Sequence, residues 1–522
     1  MNSVLKNGFL IVQGTNRKLR YDFSLSALDF FRDKQYPIPP EAQHIQDQKL
    51  QPVPMEIGDF EWTGPSRWPN QIAGISHILK WKRGYLAHGM GCGKSCTALS
   101  IADYLVAHGI VRHTLIVCPK SVQLTVWPKM HQTYSGHTKF YSITDTKKGK
   151  KFLDALNSES DPTVVVINYD KVKNVLQDLL RVRFALVIAD EAHSLKNPRS
   201  QRSKCVAELS DKSTYSVVMS GTPVSKNMID IFGQYRVMDP FWFGKSDWFF
   251  KKRYCEMGGW MQHQIVGYKN EQELRRIMDT PAHVILKRDA LPGLPPKVFS
   301  ERVFQMSPDE QRIYKETKRK FLVELNDGRI NIANAASRIQ KLQEIANGFV
   351  ITETGDISRF GETKLSGLMD EIEETGEADR VTVWCRFRED IAAIGHKMAH
   401  LLPERAFLAY HGDTKDRNAV LERFRATEGA VLAIQTQSGG MGLDLTCSHI
   451  SFRYSRLFSW MDEEQAADRH HRPGQVFSVS YTDFIMEDTV DRKIQSVLED
   501  RRSLSEWVTE KKGSLKDLFN DL

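Results

Sequence analysis

The 522-residue sequence predicts an α/β protein made of two parallel sheets in tandem, with helical insertions and a small β-containing element ahead of them. Three observations carry this. Five short apolar runs recur in the first half: GYLAHG, HTLIVCP, TVVVINY, FALVIADEAH and YSVVMSGTP. Each ends in small or polar residues, as a strand buried on both faces of a parallel sheet should, whereas a one-sided strand alternates. A second series of the same kind begins near 380, with VTVWCRF, AFLAYHGD, GAVLAIQT, HISFRYS and VSYTDFIM. Finally, the residues with chemical potential sit just after these runs, where open α/β sheets bind their ligands.

The elements follow in order. Residues 1–60 form a small accessory element. In it FLIVQGTNRKLRYDFS reads as two strands around a GTN turn, and PIPPEAQ through QPVP reads as a linker or strap. Residues 61–290 hold the first sheet, with a helical, aromatic protrusion near 225–290 that includes FWFGKSDWFFKKRY. LPGLPPK at 291–297 is rigid and hinge-like, and opens a linker and helical protrusion over 291–370. There PDEQRIYKETKRKFLVEL begins a helix with a proline and two acids. Residues 371–500 hold the second sheet and 501–522 a tail.

Composition narrows the class. Lys+Arg 72 against Asp+Glu 65 leaves a formal charge of +7, which permits a polyanionic partner without demanding one. Seven scattered cysteines, with no CxxC pair, argue for reduced thiols in a cytosolic compartment. No run approaches the roughly 20 apolar residues of a membrane helix, and no secretory signal opens the chain.

Two motifs carry chemistry. His88-Gly-Met-Gly-Cys-Gly-Lys-Ser lies between an apolar run and a helical pattern. Gly89, Met90, Gly91, Cys92 and Gly93 offer bare backbone N–H groups to phosphate oxygens, at the positive end of the following helix. Lys94 reaches the terminal phosphates and Ser95 holds Mg²⁺. The usual pattern asks for glycine five places before the Gly-Lys pair, and His88 stands there. Cys92 and Cys96 read as small packed residues. The run VIAD then ends in Asp190-Glu191-Ala192-His193. Asp190 suits a metal-bound water and Glu191 suits activation of the attacking water.

DEAH, SGTP at 220–223 and QAADRHHRPGQ at 465–475, in this order, resemble superfamily 2 helicases, and more closely the Swi/Snf family of DNA translocases. The likeness runs from about Trp68 to about Arg492. That family's phosphate loop commonly reads DEMGLGKT, which also lacks the first glycine, but its acid pair is replaced here by His88 and Gly89. The resemblance implies two RecA-like lobes closing on ATP and Mg²⁺. Gln71 reads adenine, while Gln465, Arg469 and Arg472 reach the γ-phosphate from the second lobe. His193 and Asp444 couple the two activities. Nucleic-acid contacts by the same carry-over are Pro119, Lys120, Asn197, Thr222, His411, Gly412, Thr436 and Ser438. They grip phosphates without reading bases. Asp444 stands where the family has asparagine, Gln437 where an arginine is usual and Ser225 where glutamine is common.

The expected activity is therefore nucleic-acid-stimulated ATP hydrolysis driving movement along double-stranded DNA, with forked or single-stranded DNA as further partners. The compact chain suggests a prokaryotic or phage motor in the cytoplasm, acting in repair, recombination or replication. A strand-separating helicase on DNA or RNA uses the same motifs. A non-motor scaffold with a relic ATP site is disfavoured, because Lys94, Asp190, Glu191, Arg469 and Arg472 are all present.

Overall fold

The computed structural model describes residues 2–13, 18–53, 57–58, 60–221, 228–258, 264–326, 332–352, 354–439 and 443–499. The chain divides into two compact units, Met1–Pro292 and Gly293–Leu522.

The first unit opens with an antiparallel sheet of β1 (Asn2–Lys6), β2 (Phe9–Gln13) and β3 (Lys18–Asp22). Helix α1 (Leu25–Asp33) follows, its first turn capped by the Ser24 hydroxyl, which accepts from the Ala27 N–H at 3.1 Å. The proline-bearing stretch expected as a strap contains helix α2 (Pro40–Leu50) instead. Pro40 occupies the first helical position, where its missing N–H has no partner to lose. Leu10, Val12, Tyr21 and Phe31 share a core with Phe249, two hundred residues away. Ser26 Oγ and Tyr254 OH bond at 2.7 Å, and the Asp22 carboxylate accepts from the Ser246 N–H at 2.8 Å.

The main sheet of this unit has seven parallel strands. They are β4 (Arg83–His88), β5 (His113–Cys118), β6 (Lys139–Ile143), β7 (Thr163–Asn168), β8 (Leu186–Ala189), β9 (Tyr215–Met219) and, after a small hairpin of β10 (Cys255–Gly258) and β11 (Gln264–Tyr268), β12 (Ala282–Ile285). Their order is β12-β4-β9-β8-β5-β7-β6. The five apolar runs are the interior strands. β5 and β7 are buried at every position, which is why they read as unbroken apolar segments. Helices α3 (Pro69–Trp81) and α4 (Lys94–Ala107) pack beside β4. Lys147–Lys151 belong to the helix Thr146–Leu156, which Asp145 caps by accepting from the Lys148 N–H at 2.8 Å and which buries Leu153 and Leu156. Trp242, Phe249 and Phe250 are core residues of the aromatic protrusion, while Trp248 is 57% exposed.

The second unit has six parallel strands: β13 (Lys297–Phe304), then, after the short antiparallel pair β14 (Phe349–Ile351) and β15 (Ile357–Arg359), β16 (Val381–Cys385), β17 (Phe407–Tyr410), β18 (Val431–Gln435), β19 (Ile450–Arg453) and β20 (Val479–Met486). Their order is β13-β20-β19-β16-β18-β17. The helix predicted from PDEQ spans Pro308–Asn326. Behind the sheet, Lys364 is 2% exposed. Its ammonium donates to Asp491 at 2.7 Å and to Asn347 Oδ1 at 3.1 Å. Among the described residues no helix is long and apolar enough to cross a membrane.

Candidate functional site

The strand order brings distant segments together. β4, β9 and β8 are neighbours, so the loops at their carboxyl ends, beginning at Gly89, Ser220 and Asp190, share one edge of the sheet. With strands about 4.8 Å apart, two steps set the first and last of these loops roughly 10 Å from each other.

In the first loop, Gly91 and Gly93 take φ of 81° and 79°, backbone that other residues rarely adopt. A Cβ on Gly93 would lie 2.1 Å from Gln71 Nε2, so the glycine also makes room for that side chain. Gln71 is 4% exposed and its Oε1 accepts from the Trp68 N–H at 2.9 Å. The residue that the resemblance assigns to adenine is therefore packed on the loop and tied to the start of its own helix. α4 begins at Lys94, directing its unbonded N–H groups and positive end at the loop. The Lys94 ammonium donates to the carbonyls of His88 at 2.9 Å and Gly89 at 3.3 Å. Met90, Gly91 and Ser95 are half-buried. Cys92 and Cys96 are buried free thiols.

The acid pair lies two strands along. Asp190 is 6% exposed and its Oδ1 accepts from the Glu191 N–H at 2.9 Å. Glu191 sits at φ 47°, ψ 56°, a left-handed conformation that costs a non-glycine residue roughly 1–3 kcal/mol. Strain of this kind collects at functional positions because surrounding structure enforces it. Burial, and then the Glu191 carboxylate, push the Asp190 carboxyl well up, while Lys94 pulls it back. A buried Asp190 that feels Lys94 and a half-buried Glu191, with Ser95 on the loop two strands along, fit a divalent cation carried by a triphosphate. His193 Nδ1 stands 3.4 Å from Glu191 Oε2.

Beside His193 opens a groove of about 580 Å³, also lined by Lys173, Lys196, Asn197, Ser200 and Arg202. Arg202 donates to Asp170 at 2.7 Å. Asn197 is exposed, and its Oδ1 accepts from the Arg199 N–H at 3.0 Å. Lys120 follows β5 on the same edge, exposed, with Pro119 before the helix it begins. Thr222 and Ser225 lie outside the described residues.

In the second unit the helix Trp460–Ala467 carries Gln465, which is 4% exposed; Arg469, just past it, is 8% exposed. Arg472 Nη1 donates to the Leu443 carbonyl at 2.9 Å. Burial lowers its basicity, and Asp444 and Asp468 partly restore it. Asp444 accepts from the Thr446 N–H and hydroxyl at 3.2 and 2.9 Å, so it shapes its turn as well as facing Arg472. His411, Gly412, Thr436 and Ser438 follow β17 and β18 at their carboxyl ends. The Gly412 N–H donates to Gln435 at 3.4 Å and the Ser438 hydroxyl to the same oxygen at 3.2 Å. Thr436 is 1% exposed and its hydroxyl donates to the Cys385 carbonyl at 3.2 Å, so this side chain faces inward.

Sequence reading missed the residues that hold this second site in place. Lys297 donates to Glu464 at 2.8 Å and pairs with Asp468 at 3.0 Å. His471 Nε2 bonds to the Pro295 carbonyl at 2.6 Å. The LPPK segment, which reads only as a hinge, thus braces the arginine-bearing segment within its own unit.

A glycine loop with a lysine, an acid pair and the arginines Arg469 and Arg472, one buried and one half-buried, all borne on units built around parallel sheets, define a helicase-type ATPase. The description SNF2-related domain matches residues 27–349 and Helicase conserved C-terminal domain matches residues 363–474. The chain belongs to the SNF2-related family, as the motif series implies. An uncharacterised ATP-dependent helicase of Mycoplasma genitalium is 23% identical over 443 residues, 82% of this chain and 41% of the relative. A probable chromatin-remodeling complex ATPase chain of Oryza sativa subsp. japonica is 25% identical over 448 residues, 81% of this chain and 39% of the relative. The chain thus spans about 40% of the length of these curated relatives. The solved Sulfolobus solfataricus SWI2/SNF2 ATPase core in complex with dsDNA shares 22% identity at a TM-score of 0.42, covering 90% of this chain and 98% of that one.

Proposed function

We propose that this chain is an ATP-driven motor that hydrolyses ATP on binding double-stranded DNA and moves along it, in repair, recombination or replication, inside the cytoplasm. The observation that supports this most is the continuity of catalytic acid and cationic groove through one side chain. His193 stands 3.4 Å from Glu191 and lines the groove with Lys173, Lys196 and Arg202. A backbone phosphate seated there is felt at the carboxylate that activates water. Such contacts carry no base information, so the binding is independent of sequence and weakens with salt.

Bound ATP and Mg²⁺ supply the phosphoryl group and the charge that the Asp190 pocket lacks. Lys94 exchanges the carbonyls of His88 and Gly89 for phosphate oxygens. Backbone N–H groups of Met90, Gly91 and Gly93 to Ser95 would surround the phosphates, and Ser95 and Asp190 would hold the ion. Glu191 orients water and takes its proton on the carboxylate. Arg469 and Arg472 bring positive charge from the second unit, worth on the order of 10³ in rate, and Gln465 adds a neutral hydrogen-bonding amide. Because they belong to a separate unit, supplying them couples hydrolysis to domain movement. Lys120, Asn197, Thr222, His411, Gly412 and Ser438 are the proposed phosphate contacts, with Pro119 setting the turn that leads into the Lys120 helix. Thr436 joins them only by leaving its Cys385 carbonyl.

ATP hydrolysis should be measured without nucleic acid and with single-stranded DNA, linear duplex, forked DNA and duplex RNA, beside Glu191→Gln. Stimulation by linear duplex, lost in Glu191→Gln, with triplex displacement but no strand parting, is the expected result. Stimulation confined to single strands or forks would move the assignment to a strand-separating helicase. No stimulation by any polymer would end the motor reading.

A further inference from the structure

His88 replaces the acid that the resembled family carries ahead of its phosphate loop, and the structure gives it a partner. It is completely buried, and its Nε2 lies 2.9 Å from Nδ1 of His283 on β12. The α3 residue Gly74 leaves room for the pair: a Cβ there would stand 3.0 Å from His88 and 3.3 Å from His283. β12 pairs with β4 so that Ile285 faces His88, and the Gly89 N–H donates to the Ile285 carbonyl at 2.9 Å. Five residues after β12 the chain enters the segment that joins the two units. The floor of the phosphate loop is therefore fastened, by one side-chain and one backbone hydrogen bond, to the strand that leads to the second unit.

We propose that His88 and His283 are a positioning pair that holds the phosphate loop in its nucleotide-binding form and ties that form to the strand leading out of the first unit. The proposal rests on reading 88–95 as the ATP loop. The pair works as one donor and one acceptor. His88 Nδ1 has no partner among the described residues, so its proton belongs on Nε2, where it donates to His283 Nδ1. His283 is half-exposed and can take a second proton from water. Burial and the neighbouring His77 lower its affinity for that proton, so at neutral pH it stays an acceptor at Nδ1. The groups facing the pair are His77 and Lys80 on α3, Lys94 at the start of α4 and His283 itself, with no carboxylate among them. Burial, and then this cationic surrounding, keep His88 neutral, down at about 3. The pair is thus one neutral donor and one neutral acceptor at neutral pH.

The test is nucleotide affinity, read with a fluorescent ATP analogue and Mg²⁺ at pH 8, beside saturated DNA-stimulated turnover. His283→Ala should weaken the analogue about ten-fold at pH 8 and leave saturated turnover within about two-fold. His283→Asn places an amide where Nδ1 was, and should restore affinity to within about three-fold. Wild-type affinity in His283→Ala, or no recovery in His283→Asn, would overturn the pair while leaving the ATP loop intact. A wild-type protein that bound no analogue would overturn the loop reading, and the pair with it.

Discussion

At the scale of single residues, Asp190 is the most exposed to test. Its carboxyl is held above the ordinary range by burial and by Glu191. The folded state therefore keeps a proton that the unfolded chain releases. Stability from this group is present at low pH and is lost as pH rises towards the raised folded value. Asp190→Asn should accordingly melt higher than wild type at pH 8 without nucleotide, by about 2–4 °C for each kcal/mol relieved, and should hydrolyse no ATP. Thermal scans at pH 5 and pH 8 read this directly: the gap between the proteins should be narrower at pH 5 than at pH 8. A variant that melted lower at pH 8 would show that the carboxylate stabilises the fold. Lys94, Asp190 and Glu191 were legible in the sequence because each lies within a few residues of the strand end that presents it. The packing of Gln71 on Gly93 was not, since it joins two segments across the sheet at a spacing no local pattern encodes.

At the scale of elements, the eight-residue helix Trp460–Ala467 is too short to be stable by itself and takes its position from its anchors. Glu463 accepts from the Leu457 N–H at 2.8 Å, the Tyr481 hydroxyl donates to the Ala467 carbonyl at 2.6 Å, and Lys297 reaches Glu464 and Asp468. Burial alone would weaken the lysine as a base, but Asp468 and Glu464 more than offset it, so it stays charged. Lys297→Ala should lower saturated ATP turnover about ten-fold and leave nucleotide affinity within about two-fold, because the phosphate loop belongs to the other unit. Equilibrium titration beside steady-state rates separates the two; an affinity change as large as the rate change would place Lys297 elsewhere in the mechanism. Interior strands were legible because full burial leaves an unbroken apolar run. Of the edge strands, β6, β12 and β13 were not, because they keep exposed faces, whereas β17 alternates half-buried with buried apolar residues and was read. In β13, Val298, Phe299 and Val303 are 49, 57 and 45% exposed, amid charged neighbours. α2 escaped notice because its opening prolines read as a linker until one is seen at the first helical position.

At the scale of the whole molecule, each unit has its own sheet and its own core, so each should report its own unfolding. Lys364 offers a clean probe. Its buried ammonium satisfies Asp491 and Asn347, and Lys364→Met leaves that carboxylate unpaired at about 3–5 kcal/mol. Calorimetry should show two transitions, one falling by about 10 °C in the variant and the other unmoved. A single transition that shifted as a whole would mean that the units unfold as one. The small leading sheet adds a matter of timing. Its core includes Phe249, and α1 is held by Tyr254, so it cannot close until more than two hundred further residues have been made. At about 5–20 residues per second, Leu10, Val12 and Phe31 wait on the order of ten seconds or more for their partner during synthesis. For that interval a nascent chain shows an unfinished apolar surface to the ribosome exit and its attendant chaperones, and that surface disappears as the aromatic protrusion emerges.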